Sequence, residues 1–404
     1  MLEKIDAVVA GHICLDIITT LDGGQFTLFP GRLRQIGSPT LATGGPVSNT
    51  GLALHKLGIK TSLMAKVGGD WIGRMILELV GKSGRVLIKG IRETREVASS
   101  YSLILSTSGA DRMILHHPGC NDTFVAADVD YDIVASSQLF HFGYPPLMKS
   151  IIERGAIELV EIFRRAKSLG VTTSLDMCMP DPFSFSGSVD WESILRSTLP
   201  HVDIFMPSLE ETLFMLRREI FDSLSREAAD PLSRVTVDLV VALAEDLLSM
   251  GPKIVGLKAG YLGLYLRTAG GPALTRMGLC SPRDLGSWSD RELWSPCFET
   301  DVVGTDGAGD ATVAGFLAAF IRGLRPEDAA TAACAVGGCS VQAADAVSGV
   351  RPWDETLARV AQGWRRKSLP MDMDGWVHDE LTGVWYGPND LILLTQTRRE
   401  AHSP

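Results

Sequence analysis

Short apolar runs recur along this chain between amphipathic stretches: DAVVAG (6–11), the run around TSLMAKVG (61–68), QLFHFG (138–143), VTTSLDM (171–177), VDIFM (202–206) and KIVGLKAG (253–260). A strand covered on both faces needs no polar alternation, and runs this brief suit buried strands. Residues 150–169 and 237–250 carry helical patterns between such runs. This alternation predicts an α/β fold with a mostly parallel central sheet and helices on both faces.

Two segments break the rhythm. Residues 19–43 are rich in Gly, Pro and Thr, and 98–117 (ASSYSLILSTSGADRMILHH) alternates about a Ser-Gly-Ala-Asp turn as a β-hairpin does. Together they predict a small sheet over one end of the main one. Residues 216–238 are charge-rich and read as a solvated helical insertion. From 366 onward the chain reads as an irregular tail with a second hairpin and no assigned role.

Composition narrows the partners. At 404 residues, 45% hydrophobic and 21% charged, the chain can bury a large core, as one big domain with an appendage or as two domains. With 48 acidic against 38 basic residues and no run of Lys and Arg, a phosphate backbone would find little to neutralise it. No nucleic-acid partner is expected. No 18-residue apolar stretch occurs, so no membrane span is expected either, and the N-terminus reads as a first strand, not a signal sequence. The seven scattered cysteines form no C-x-x-C pair, which suggests neither disulfides nor zinc and fits reduced thiols in a cytoplasm.

Three glycine clusters carry the chemistry. In DVVGTDGAGDATVAGFLAAF (301–320), Gly307 and Gly309 free the backbone to aim successive N–H groups at one point, and the apolar helix that follows adds its positive end. That is an anion site. Asp310 is then either a base or a helix cap. In TGGPVSNTGLALHKLG (43–58), Gly44 and Gly45 permit close backbone approach, and Asn49 can both donate to and accept from vicinal hydroxyls, or be a chance residue at a helix start. Asp16 follows the first strand, where ligands of open α/β sheets bind. GLKAGYLGLYL (256–266) is a turn between two strand-like runs, which can approach a nucleotide or be a plain hairpin. Gly-Lys-Ser at 81–83 ends a helical run and lacks the first glycine of a P-loop, and no G-x-G-x-x-G follows the first strand. His116 and His117 have no Cys or carboxylate at ligand spacing and read as surface side chains.

In order and spacing these residues resemble the ribokinase, or PfkB, family of carbohydrate kinases over roughly residues 5–360. The early Gly-Gly with Asn is Gly44, Gly45 and Asn49, and the late D-T-x-G-A-G-D is read as GTDGAGD at 304–310. The resemblance implies a ribokinase-like three-layer domain over 1–365, with the irregular segments at 19–43 and 98–117 as its lid. It implies transfer of the γ-phosphoryl of ATP to a hydroxymethyl group of a sugar or nucleoside. Asp310 would be the base, with Gly307, Ala308 and Gly309 as the anion hole. Asp16, Gly44, Gly45 and Asn49 would bind the acceptor, and Lys258, Gly260, Gly263 and Thr305 the ATP. Glu211 would act on Mg2+ through water; a monovalent cation and a homodimer through the lid sheet are compatible with the family. Two letters depart from the pattern: Gly304 stands where the late motif opens with Asp, and Ser208-Leu-Glu-Glu211 keeps the Glu of N-x-x-E but not the Asn. A sugar kinase is the leading reading. A nucleoside kinase, with Tyr101 as a base-stacking ring, and a weakly catalytic sugar-binding regulator are the alternatives.

Overall fold

The computed structural model describes residues 4–21, 30–107, 113–228 and 230–390. Its strands are β1 (Ala7–Gly11), β2 (Cys14–Leu21), β3 (Thr40–Gly44), β4 (Thr61–Gly68), β5 (Ile91–Thr94), β6 (Tyr101–Thr107), β7 (Met113–His117), β8 (Leu139–Gly143), β9 (Thr172–Asp176), β10 (Ile204–Phe205), β11 (Ile254–Lys258), β12 (Leu264–Thr268), β13 (Glu292–Ser295), β14 (Val377–Asp379) and β15 (Val384–Tyr386). Each of the six apolar runs contains one of them. An eleven-stranded sheet has the order β14-β15-β13-β12-β11-β10-β9-β8-β1-β4-β5. From β5 to β11 the neighbours pair in parallel; β12, β13, β15 and β14 are added antiparallel.

Helices cover both faces because successive residues of a buried strand alternate between them. Ala7 and Val9 point into a core shared with the Pro46–Lys56, Trp71–Gly81, Ala308–Ile321 and Pro326–Ser340 helices. Val8 and Ala10 point into the opposite core, against helices Lys149–Ser168, Trp191–Thr198, Leu209–Leu216 and Val237–Ser249. The helical pattern at 150–169 is interrupted at Glu153–Ala156, where Arg154, Gly155 and Ala156 take left-handed backbone angles. The Ala308–Ile321 helix is apolar on nearly all sides because the Pro46–Lys56 and Pro326–Ser340 helices pack against it and ten of its residues are buried, as in a helix deep in a core.

A second, four-stranded sheet has the order β3-β2-β6-β7. β6 and β7 form the expected antiparallel hairpin; its turn, at 108–111, lies outside the described residues, as do 22–29 of the first irregular segment. The insertion forms a helix, Arg218–Glu227, with no buried residue, followed by a turn at Pro231–Arg234.

The described part of the segment after 366 is less irregular than its composition suggests. β14 and β15 make the second hairpin, and β15 pairs with β13, extending the main sheet. Trp376 packs against Tyr265 and Trp294, while Asp390 accepts from the Glu292 N–H at 2.8 Å and pairs with Arg291.

Candidate active site

The carboxyl ends of the parallel strands meet the small sheet across a cavity of about 790 Å3, within the usual range for a small-molecule site. Asp16, Gly45, Asn49, Asp306, Gly307 and Asp310 line it. Residues from opposite ends of the chain are thus brought together.

Gly307 takes φ 66°, a left-handed angle that suits glycine, and a Cβ there would strike Ala346. This turn starts the Ala308–Ile321 helix with Gly307 as its N-cap, so Asp310 lies one turn inside and is not the cap. The first N–H groups of a helix have no acceptor within it. Ala308 returns its N–H to the Thr305 carbonyl at a long 3.3 Å, which leaves the following amides of the turn as the stronger anion donors.

The Asp310 side chain is 1% exposed and held by three donors. Asn49 Nδ2 donates to Oδ2 at 3.0 Å, the Tyr144 hydroxyl to Oδ2 at 2.8 Å, and Thr50 Oγ1 to Oδ1 at 3.1 Å. Burial pushes the Asp310 carboxyl above its ordinary value; Asn49, Tyr144, Lys258 and Thr50 oppose the rise. A carboxylate so held keeps its orientation and accepts a proton more readily than a solvated one. The Asn49 amide nitrogen, expected to bind an acceptor hydroxyl, is directed at Asp310 instead.

Gly44 and Gly45 let neighbouring side chains approach the backbone closely. A Cβ on Gly44 would run into the Asp16 carboxylate, and one on Gly45, which has φ 85°, into His12. Asp16 sits within β2, not at the end of a main-sheet strand, and accepts from Cys14 Sγ at 3.3 Å.

The remaining expected site residues lie outside the lining of this cavity. Lys258 turns inward. Its ammonium pairs with Asp176 and donates to the Met206 carbonyl at 2.6 Å, and its Cε lies 3.4 Å from where a Cβ on Gly309 would be. Burial works against the Lys258 charge, but Asp176 and Glu211 more than offset it, so the ammonium keeps its proton. Positive charge therefore sits beneath the glycine turn. Gly260 and Gly263 shape the β11–β12 hairpin, with φ 53° and 102°; a Cβ on Gly263 would collide with the Ser295 carbonyl. Thr305 is exposed beside the turn. Glu211 closes a capping box, accepting from the Ser208 N–H at 2.7 Å while Ser208 Oγ accepts from the Glu211 N–H at 3.1 Å. Serine caps this helix as well as asparagine would. Gly304 is packed against the 341–344 loop: its N–H donates to the Val341 carbonyl, and a Cβ would lie 2.9 Å from the Ala343 carbonyl oxygen.

Several groups were not legible in spacing. Thr50 and Tyr144 hold Asp310, and Asp176 pairs with Lys258, each from a different element. Tyr144 carries the only available hint, a polar ring after the QLFHFG strand, and it holds a left-handed φ of 62°, uncommon for a bulky residue. His116 is a correction. It is half-buried and faces the cavity, its Nε2 3.3 Å from His12 Nε2, because His12 and Cys14 reach it from the end of β1 and the start of β2, about a hundred residues away. Tyr101 packs on the His117 ring, outside the cavity lining.

A ribokinase-like α/β fold with a small sheet over the strand ends is the class that this architecture defines. The sequence model of the pfkB family carbohydrate kinases matches residues 4–353, and the chain belongs to that family of ATP-dependent sugar kinases. An uncharacterized sugar kinase of Archaeoglobus fulgidus is 28% identical over 280 residues, 69% of this chain and 89% of its own length. The fold is similar to that of an Arabidopsis thaliana ribokinase complexed with ribose and ATP, with a TM-score of 0.67 and 19% identity over 88% of this chain and 98% of that one. It is also similar to a fructokinase with bound ATP from Xylella fastidiosa, with a TM-score of 0.63 and 17% identity over 88% and 98%. Among the described residues no helix is long and apolar enough to cross a membrane.

Proposed function

We propose that this kinase transfers the γ-phosphoryl group of ATP to a hydroxymethyl oxygen of a sugar held between Asp16 and Asp310. Asp310 takes the hydroxyl proton, the freed oxygen attacks the γ-phosphorus, and ADP leaves. The observation that carries the reading is a buried, raised carboxylate gripped by Asn49, Thr50 and Tyr144 at the N-terminal turn of a helix, on the wall of a cavity. Phosphoryl transfer needs positioning and charge stabilisation above all. The amides of the Gly307–Gly309 turn and the Lys258 ammonium beneath it provide both, acting on the transferred group. Asp16, across the cavity, accepts from sugar hydroxyls, with Gly44 and Gly45 allowing the approach. Lys258 thus acts at the phosphoryl end, while Gly260, Gly263 and Thr305 shape the nucleotide side.

Mg2+ accompanying ATP would be held through water by the hard carboxylate oxygens of Glu211 and would supply charge neutralisation to the phosphates. A monovalent cation near Gly304 is compatible with the carbonyl-rich 341–344 loop. The small sheet acts as the lid, and the apolar side chains it exposes away from the cavity at Met113 and Leu115 fit a homodimer contact. Seven free thiols fit a reducing cytoplasm.

Two observations favour this reading over its alternatives. Tyr101, the ring a nucleoside would stack on, packs on His117 outside the cavity. Gly304 and Ser208, the letters that suggested weak catalysis, fill positions their surroundings accommodate. ADP release with ATP and Mg2+ across a panel of sugars and nucleosides tests the proposal. Turnover with a sugar is expected; turnover confined to nucleosides, or silence throughout, overturns it.

A further inference from the structure

One corner of the cavity carries chemistry that phosphoryl transfer does not use. His12, Cys14 and His116 present ligand atoms that all lie within 4.8 Å of one another. His12 follows β1, Cys14 opens β2 and His116 lies on β7. We infer that these three side chains form a binding site for one thiophilic divalent cation, Zn2+, whose fourth position opens into the cavity.

The geometry supports this. Zn–N bonds of about 2.0–2.1 Å at a tetrahedral centre place two ligand nitrogens about 3.3–3.4 Å apart. The facing Nε2 atoms of His12 and His116 are 3.3 Å apart. A neutral imidazole that binds metal through one nitrogen normally has the other held by a second group. His116 Nδ1 is so held, 3.1 Å from Ser102 Oγ. Cys14 Sγ lies 3.6 Å from the same hydroxyl and 3.3 Å from Asp16 Oδ1. On binding, the thiol releases its proton to solvent and the thiolate sulfur takes the metal. Two imidazoles and a thiolate select Zn2+ over Mg2+, which prefers oxygen. The site therefore does not compete for the cation that accompanies ATP.

Cys14 neighbours Asp16, so a metal here occupies acceptor space; this consequence rests on the function proposed above. The chelator-treated full-length chain is titrated with Co2+ under anaerobic conditions. One equivalent is expected to bind with a thiolate-to-cobalt charge-transfer absorption that Zn2+ displaces. The absorption should vanish in Cys14→Ser and, separately, in His116→Ala, which changes a half-exposed position and tolerates truncation. Ser102→Ala should weaken binding by roughly tenfold, and Cys297→Ser should leave it intact. No charge-transfer absorption, or one that survives Cys14→Ser, overturns the site. In the kinase assay Zn2+ should raise the acceptor KM and leave kcat unchanged, an effect lost in His116→Ala; a fall in kcat alone overturns the competition. Absence of any sugar turnover would sink the acceptor reading without touching the cobalt result.

Discussion

The cavity has two unlike walls. The main-sheet wall pairs its charges: the Asp310 oxygens accept from Asn49, Thr50 and Tyr144, and the Lys258 ammonium behind them is held by Asp176 and a carbonyl. The small-sheet wall leaves capacity unused. The Nδ1 of His12 is buried without a hydrogen-bond partner, and Cys14 and His116 contact their neighbours at 3.1–3.6 Å. A carboxylate that accepts three hydrogen bonds holds one geometry; a wall with looser contacts keeps donors and acceptors for whatever enters. The first should govern stability and kcat, the second KM.

Lys258→Met tests that division most severely. It leaves the buried Asp176 carboxylate without its cation, and removing one partner of a buried pair costs about 3–5 kcal/mol. Urea denaturation should show a loss of that size, and the double variant Lys258→Met/Asp176→Leu should recover much of it. A single variant as stable as the wild type would show that the pair does not organise this wall.

Asp310→Asn should keep the fold and lower kcat by roughly 10²-fold or more, the usual span for a positioned acid or base. Steady-state kinetics with an intact thermal melt checks it, and near-wild-type turnover would remove Asp310 from the base role. Asp16→Asn should instead raise the acceptor KM by roughly tenfold, the loss expected for one hydrogen bond to a charged group, with kcat much less affected. If Asp16→Asn lowered kcat as far as Asp310→Asn, the two walls would not differ in kind.

The same division explains what the amino-acid sequence reveals. Six of the seven parallel strands of the main sheet are legible because burial on both faces writes itself as a continuous apolar run; the seventh, β5, has the sequence IRET with one buried residue and shows no such run. The β14–β15 hairpin is legible as a hairpin, but its place on the main sheet is not: the β13 strand ELWS is too short to show a period, and the docking brings Trp376, Tyr265 and Trp294 together from distant segments. In the site, the Gly307–Asp310 turn is legible because the chemistry needs contiguous backbone. The grip on Asp310 is not, since Asn49 and Tyr144 lie 261 and 166 residues from it. His116 is misread for the same reason, as ligand spacing along the chain cannot see a cluster assembled across strands.

Tyr144→Phe has the smallest expected effect and the most specific one. The Tyr144 hydroxyl is among the groups that oppose the rise of the Asp310 pKa, so its removal lets burial push that pKa further up. The base must be deprotonated to act, so turnover falls as pH drops through the Asp310 pKa. The acid limb of the kcat profile should therefore lie above the ordinary Asp value of about 3.9 in the wild type and move to higher pH in the variant. Asn49 and Thr50 still hold the carboxylate, so kcat above the limb should fall by less than about tenfold. A limb that stays in place would mean that the hydroxyl at 2.8 Å only positions Asp310, without tuning its proton affinity.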